Sequence, residues 1–283
     1  MKRLNNKHFD LIAAYIVLIV LGVMIIYPFF WLVGSSFKSS FEIFADPSFI
    51  PKKPTLNGYR NGWKAAGAST FLTFFKNTYV YVVLKVTATV VSAVLVGYGF
   101  SRFEFPFKKS MLSVLIATLL FPMTVVLVPS YIMFSKVGWV DSYKPLIIPS
   151  LFATDTYFVF LMVQFFRSLP RDMDEAAIID GCGAFRRLIY ILIPMLQPAI
   201  VTVMLFQFIW TGNDFLGPMI YLSSEFKFPV SIGLKISMDT SSGMISWENT
   251  LAMSVLAILP PLIVYILAQR NFVEGISTTG IKG

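Results

Sequence analysis

Four stretches of the chain carry no charged residue and are long enough to cross a bilayer: residues 11–37, 110–135, 188–213 and 249–269. A membrane helix needs about 20 mostly apolar residues. Two further apolar stretches are interrupted by one charge each, 77–101 by Lys85 and 145–166 by Asp155. The pattern predicts an all-α, polytopic membrane protein with six transmembrane helices, near 11–33, 77–101, 110–134, 146–167, 189–212 and 249–269. Residues 1–283 form a single transmembrane domain in this reading, with an inner loop at 168–188 and an inner C-terminal tail at 270–283. The first apolar run follows Lys2, Arg3 and Lys7 but is longer than a signal-peptide core, so it reads as a retained helix.

Orientation follows from the basic residues. With the N-terminus in the cytoplasm, the inner segments hold Lys2, Arg3 and Lys7, then Arg102, Lys108 and Lys109, then Arg167, Arg171, Arg186 and Arg187, then Arg270 and Lys282. The outer segments are longer and carry basic residues at lower density. Trp31, Trp63, Trp139, Trp210 and Trp247 all fall at or beyond the predicted outer ends, as interfacial aromatics do. Both termini are therefore expected inside. Pro28, Pro122, Pro129, Pro149, Pro194, Pro198, Pro260 and Pro261 lie within or beside the spans and predict bends.

Composition agrees with the pattern. Hydrophobic residues make up 56% of the chain and charged ones only 13%, which excludes a disordered chain and most soluble enzymes. The mean hydropathy is +0.73. The single cysteine, Cys182, excludes an intrachain disulfide and a cysteine cluster for zinc. The single histidine, His8, lies outside the spans, which excludes a serine–histidine triad or a histidine-rich metal site within them. A net charge of +8, which in a soluble protein would suggest nucleic acid, more simply reflects basic inner loops in a membrane protein, and no nucleic-acid partner is expected. The tail residues Gly275, Gly280 and Lys282 approach a phosphate-binding loop, but Ile281 interrupts the pattern and no helix follows.

The inner loop carries the most information. Asp172 and Glu175 have capping-box spacing, which predicts a short helix through Ile179 that Gly181 and Gly183 end. Such a helix fits two readings, a surface connector or an element that docks into a partner's groove. Glu175-Ala176-Ala177, three residues, Gly181, nine residues, Ile191, then Ile193-Pro194 resembles the signature loop of ABC importer membrane subunits, with Ile193 where the family usually has Leu. Ser36-Phe37-Lys38 with Glu42-Ile43-Phe44, and Pro54-Thr55-Leu56-Asn57-Gly58-Tyr59, resemble the sugar-importer permeases. So does Asn213-Asp214-Phe215-Leu216 with Pro218, although Gly212 stands where many have Trp. The tail Gly280-Ile281-Lys282-Gly283 is similar to that of the maltose-type, G-type subunit.

The resemblance implies a non-enzymatic permease of the cytoplasmic (inner) membrane that forms half of a sugar pore. Its implied partners are a homologous F-type permease, two ATP-binding cassette ATPases that bind ATP and magnesium, and an external solute-binding protein. This chain itself needs no cofactor. The implied ATPase-coupling residues are Glu175, Ala176, Ala177, Asp180, Gly181 and Pro194. Gly280, Lys282 and Gly283 are implied tail contacts.

Charges and amides in or near the spans complete the candidates. Lys85 either lines the pore or snorkels outward on its long stem. Asp155 is placed to cap a helix beginning at Thr156 and to border the substrate pathway, with Gln207, Asn213 and Asp214 as further partners for sugar hydroxyls. The rival reading is an ion-coupled secondary transporter that uses Lys85 and Asp155 as a charge pair.

Overall fold

The structure, a computed structural model, describes residues 2–64, 69–238 and 245–280, with the backbone alone at 2–10, 123 and 270–280. Its main elements are α1 (Lys2–Ser35), α2 (Phe71–Arg102), α3 (Lys108–Thr118), α4 (Met123–Lys136), α5 (Lys144–Leu151), α6 (Thr156–Ser168), α7 (Asp172–Ile179), α8 (Ala184–Met195), α9 (Gln197–Gly212) and α10 (Trp247–Gly280). Residues 1–71 with 234–258 form one unit and 72–233 with 259–283 the other.

Four helical segments are long and apolar enough to span: Leu11–Ser35, Phe71–Arg102, Lys144–Ser168 and Trp247–Gln269. A fifth results if α8 and α9 are taken as one span bent by 78°. The expected straight helix over 189–212 is therefore a bent one. Pro194 and Pro198 flank the bend at Leu196, and each removes an amide donor from the helical ladder. Just before it, Leu188–Leu192 winds as a π-helical turn.

The expected helix over 110–134 is also not continuous. It divides into α3 and α4, with Pro122 holding an extended conformation (ψ 127°) at the start of α4. The expected helix over 146–167 divides at 152–155, where Ala153 adopts φ +60° between α5 and α6. The last helix runs beyond 269 to Gly280, so much of the expected tail is helical, while Lys282 and Gly283 lie outside the described residues.

In the first unit, α1 is apolar around its circumference and none of its most apolar stretch is buried in the chain. After it, the Ser36-Phe37-Lys38 and Pro54-to-Tyr59 segments meet. Ser36 Oγ and the Tyr59 hydroxyl lie 2.8 Å apart, and the Thr55 amide donates to the Phe37 carbonyl at 2.8 Å. The Lys38 ammonium is fully buried and donates to the Asp46 carbonyl at 2.8 Å and to the Ser48 carbonyl. Backbone oxygens replace the water this cation has lost.

In the second unit, α2 buries one helical stripe, including Phe74, Thr78, Tyr81, Val82, Thr89, Ser92 and Ala93, and leaves Val80, Val83, Leu84, Val91 and Leu95 exposed. The exposed residues are as apolar as the buried ones, the pattern of a helix with protein on one side and lipid on the other. The core joins Ala93, Val94 and Tyr98 of α2 to Phe158, Val159, Met162 and Phe166 of α6 and to Leu192, Leu196, Ala199 and Val203 around the bend. A second cluster joins Tyr81, Phe134, Leu146 and Tyr221.

Candidate functional site: the inner loop and the charged positions of the spans

The helix α7 starts one residue earlier than a capping box would set it. Arg171 holds the cap position, and its carbonyl accepts from the amides of Asp174 and Glu175 at 2.8 and 3.1 Å. Asp172 is thus the first helical residue, not the cap, and no side chain caps this end. Asp172, Asp174 and Glu175 instead lie in the first turn, where negative charge favours the helix dipole. The C-terminal end is closed by two bonds. The Gly181 amide donates to the Ile178 carbonyl at 2.9 Å and the Cys182 amide to the Ala177 carbonyl at 2.8 Å. This closure requires a left-handed residue at the turn, and Gly181 has φ +75°.

Asp174 and Ala177 are the buried positions of α7, three apart on one face. The Asp174 carboxylate is forked between two arginines: Oδ2 lies 2.8 Å from Arg102 Nε and Oδ1 lies 3.1 Å from Arg187 Nε. All three side chains are almost inaccessible to solvent. Arg187 Nε and Nη2 also donate to the Tyr98 hydroxyl at 3.2 and 3.1 Å, and that hydroxyl donates to the Ala184 carbonyl at 3.0 Å. Arg102 Nη2 donates to the Leu169 carbonyl at 3.1 Å. One carboxylate thereby ties α7 to the C-terminal end of α2 and the first turn of α8. Reading Arg102 and Arg187 only as inner-loop charges misses this clasp. The available signal was an acid three residues before an alanine on the same short helix face.

The opposite side of α7 is open. Glu175, Ala176, Ile178, Ile179 and Asp180 are exposed, as is Phe185 beyond the turn, and Ile179 is 86% exposed. An apolar surface with an acid at its edge, on a helix pinned from behind, is suited to receive a partner. Of the candidate coupling residues, Ala177 faces inward, while Pro194 lies at the end of α8, beside the bend.

Two of the four candidate pathway residues, Asp155 and Asp214, bond to α2. Asp155 occupies the cap position of α6 but makes no side-chain cap bond; its Oδ2 accepts from the Thr89 hydroxyl of α2. Asp214 accepts from the Tyr81 hydroxyl at 3.2 Å and from the Gly217 amide at 3.0 Å. Asn213 ends α9 and Gln207 is buried within it. The Lys85 ammonium lies 5.9 Å from the centre of the Tyr81 ring. Among the described residues it forms no ion pair with Asp155, so the two are not joined as the rival reading requires. No group of three or more metal-binding side chains occurs among the described residues.

On the loops between spans, Asp141 gathers a second polar cluster. Its Oδ1 accepts from the amides of Ser223 and Ser224 at 3.0 and 2.9 Å, and its Oδ2 from Ser224 Oγ at 2.6 Å and Lys227 Nζ at 2.7 Å. The Lys227 bond, followed by the serine bonds, holds the Asp141 carboxyl well below the usual aspartate range. A lowered folded-state value means that the stabilisation is complete above the ordinary aspartate pKa near about 3.9 and is lost only as pH falls through the lower value. Asp141→Asn should therefore lower the thermal unfolding midpoint of the detergent-solubilised chain at pH 7. The gap from the native chain should close in strong acid. An equal gap at every pH would show that the charge contributes nothing.

Helices long and apolar enough to span a membrane, with a surface helix braced by a buried carboxylate, define an all-helical membrane protein. The comparisons specify the class further. Residues 89–273, more than half of the chain, match the family of binding-protein-dependent transport system inner membrane components, and the chain belongs to that family. These are transport permeases and not enzymes. The chain is 29% identical to the diacetylchitobiose uptake system permease protein NgcG of Streptomyces coelicolor, over 96% of this chain and 89% of that one. It is 26% identical to the arabinooligosaccharides transport system permease protein AraQ of Bacillus subtilis, over 96% of each. It is also 26% identical to the trehalose/maltose transport system permease protein MalG of Thermococcus litoralis, over 94% of each. In fold it is similar to a chain in the crystal structure of a bacterial ABC transporter involved in alginate import. That match has a TM-score of 0.82 at 23% identity and covers 95% of this chain and 98% of that one.

Proposed function

We propose that this chain is one of two permease halves of an ATP-driven importer of a sugar or short oligosaccharide. The observation that carries the reading is α7, which is exposed at Glu175, Ala176, Ile178 and Ile179 and braced from behind through Asp174. An ATPase subunit seated on that face moves the helix, and the brace passes the movement inward. The relatives that carry diacetylchitobiose, arabinooligosaccharides, and trehalose or maltose support a carbohydrate substrate. The homologous second permease, the two ATPases and the external binding protein follow from the family. The family's description supports the inner-membrane location, and the basic inner segments support cytoplasmic termini. The six-span arrangement counts α8 and α9 as one bent span and 110–134 as one crossing despite the break before Pro122.

Co-purification with the products of neighbouring genes, followed by reconstitution in proteoliposomes, tests this. Uptake of an oligosaccharide bound by the external partner should require ATP and all partners, and the isolated chain should not hydrolyse ATP. Uptake by the chain alone, driven by an ion gradient without ATP, would overturn the proposal.

A further inference from the structure

We infer that α2 is the rod that carries movement from the inner loop to the outer face, and that Asp174 and Arg102 are the positioning residues that attach its inner end. This rests on the reading of α7 as the ATPase-docking element. The direct route along the chain from α7 passes through Gly181, the π-helical turn at Leu188–Leu192 and the 78° bend at Leu196. Each is a place where a push is absorbed by bending. α2 has none of these. It is a single helix of 32 residues without proline, whereas the other candidate spans contain Pro28, Pro145 and Pro149, Pro194 and Pro198, or Pro260 and Pro261.

The polar bonds of α2 run along its length. At the inner end Arg102 holds Asp174 at 2.8 Å. Further out, Ser92 Oγ donates to the Ser150 carbonyl at 2.6 Å and Thr89 donates to Asp155, on either side of the break between α5 and α6. Tyr81 donates to Asp214 at the end of α9. At the outer end Asn77 Nδ2 donates to the carbonyls of Phe226 and Phe228 at 2.8 and 3.0 Å. Thr78 Oγ1 accepts from the Val230 amide at 2.8 Å. From Arg102 to Asn77 the helix rises about 37 Å, more than the hydrocarbon core of a bilayer. One unbroken element therefore bonds the inner loop, the two sides of the α5–α6 break, Asp214 just beyond α9 and the outer segment 226–230.

The test uses the assembled complex with Cys182→Ser and a reporter cysteine, Phe226→Cys, at a side chain that is 61% exposed. The rate of labelling by a membrane-impermeant maleimide is measured with and without ATP, magnesium and vanadate. With the clasp intact, nucleotide should change the rate about fivefold or more. Asp174→Asn should reduce that change to near one while the ATPase still co-purifies, and Asp174→Glu should retain it. Asn77→Ala, remote from the clasp, should also remove it. A merely structural role for Asp174 would lower the yield of complex and leave the nucleotide response of what assembles intact. A full response in assembled Asp174→Asn overturns the inference. Should Asp174→Asn fail to assemble, Asn77→Ala decides on the same criterion. An assembled native complex with no nucleotide response at position 226 also overturns it. Failure of the ATPase to co-purify with the native chain would instead refute the docking reading.

Discussion

Gly181→Pro is expected to abolish ATP-driven uptake while leaving the chain inserted in the membrane. Three separate losses coincide there. Proline holds φ near about −65°, whereas the turn needs a positive value and Gly181 has φ +75°. Proline has no amide to donate to the Ile178 carbonyl, a bond of 2.9 Å that closes α7. It also disfavours the helical backbone of the preceding residue, and Asp180 has φ −71° and ψ 4°. The losses fall on the closing turn of a helix of only eight residues, which has few other bonds to hold that end. Gly181→Ala separates conformation from bulk. No atom lies within 4 Å of an added Cβ, so its cost is only the left-handed strain of about 1–2 kcal/mol, and partial uptake should survive. Glu175→Ala should be milder still, because Glu175 is exposed and does not cap the helix. Uptake measured beside ATP hydrolysis in reconstituted complexes checks all three. Native sugar uptake per ATP in Gly181→Pro would remove α7 from the coupling route.

Gly97→Val should destabilise the second unit most directly. Gly97 lies on α2 where it crosses α6, and an added Cβ would lie 2.8 Å from Met162 Cβ and 3.3 Å from the backbone of Met162 and Val163. Backbone atoms cannot rotate away as a side-chain tip can. Met162 is fully buried in the core that joins α2, α6 and the bent span, so the helices must separate. Overpacking of this kind costs about 1–3 kcal/mol. The thermal midpoint of the detergent-solubilised chain should fall clearly for Gly97→Val and hardly at all for Gly99→Val, since nothing lies within 4 Å of an added Cβ at Gly99. Equal midpoints for the two variants would show that the crossing is looser than its geometry.

These two glycines mark how far the sequence could be read. Gly181 stands out because a glycine after a short polar-to-apolar helix signals a left-handed turn, and the structure places it at one. Gly97 does not stand out, because its meaning comes from Met162, far along the chain. The same distinction holds for the charges. Asp155 and Asp214 attract notice inside or beside apolar stretches, but their partners Thr89 and Tyr81 are ordinary residues of an apolar helix. Arg102, Asp174 and Arg187 read separately as inner-loop charges; only the packing of α2 against α7 and α8 brings them together. Proline positions predicted bends, and the breaks before Pro122 and at Leu196 lie beside such prolines. Their size could not be read, since a proline can be absorbed, as Pro129 is within α4. The capping-box spacing sets the cap of α7 at Asp172, one residue late, because Asp172 is itself in the first helical turn and no side chain caps the helix.

The forked carboxylate also separates two kinds of electrostatics by their response to ionic strength. Charges exposed to solvent interact through mobile ions that damp them within a Debye length of about 8 Å at physiological salt. Glu175 on the open face of α7 belongs to that population, whereas Asp174, Arg102 and Arg187 are shielded from it by the protein. Raising the salt concentration thus weakens the grip of a charged partner on the outside of the helix without loosening what holds the helix from within. On the proposed docking reading, high salt should release the ATPase while the loop stays folded.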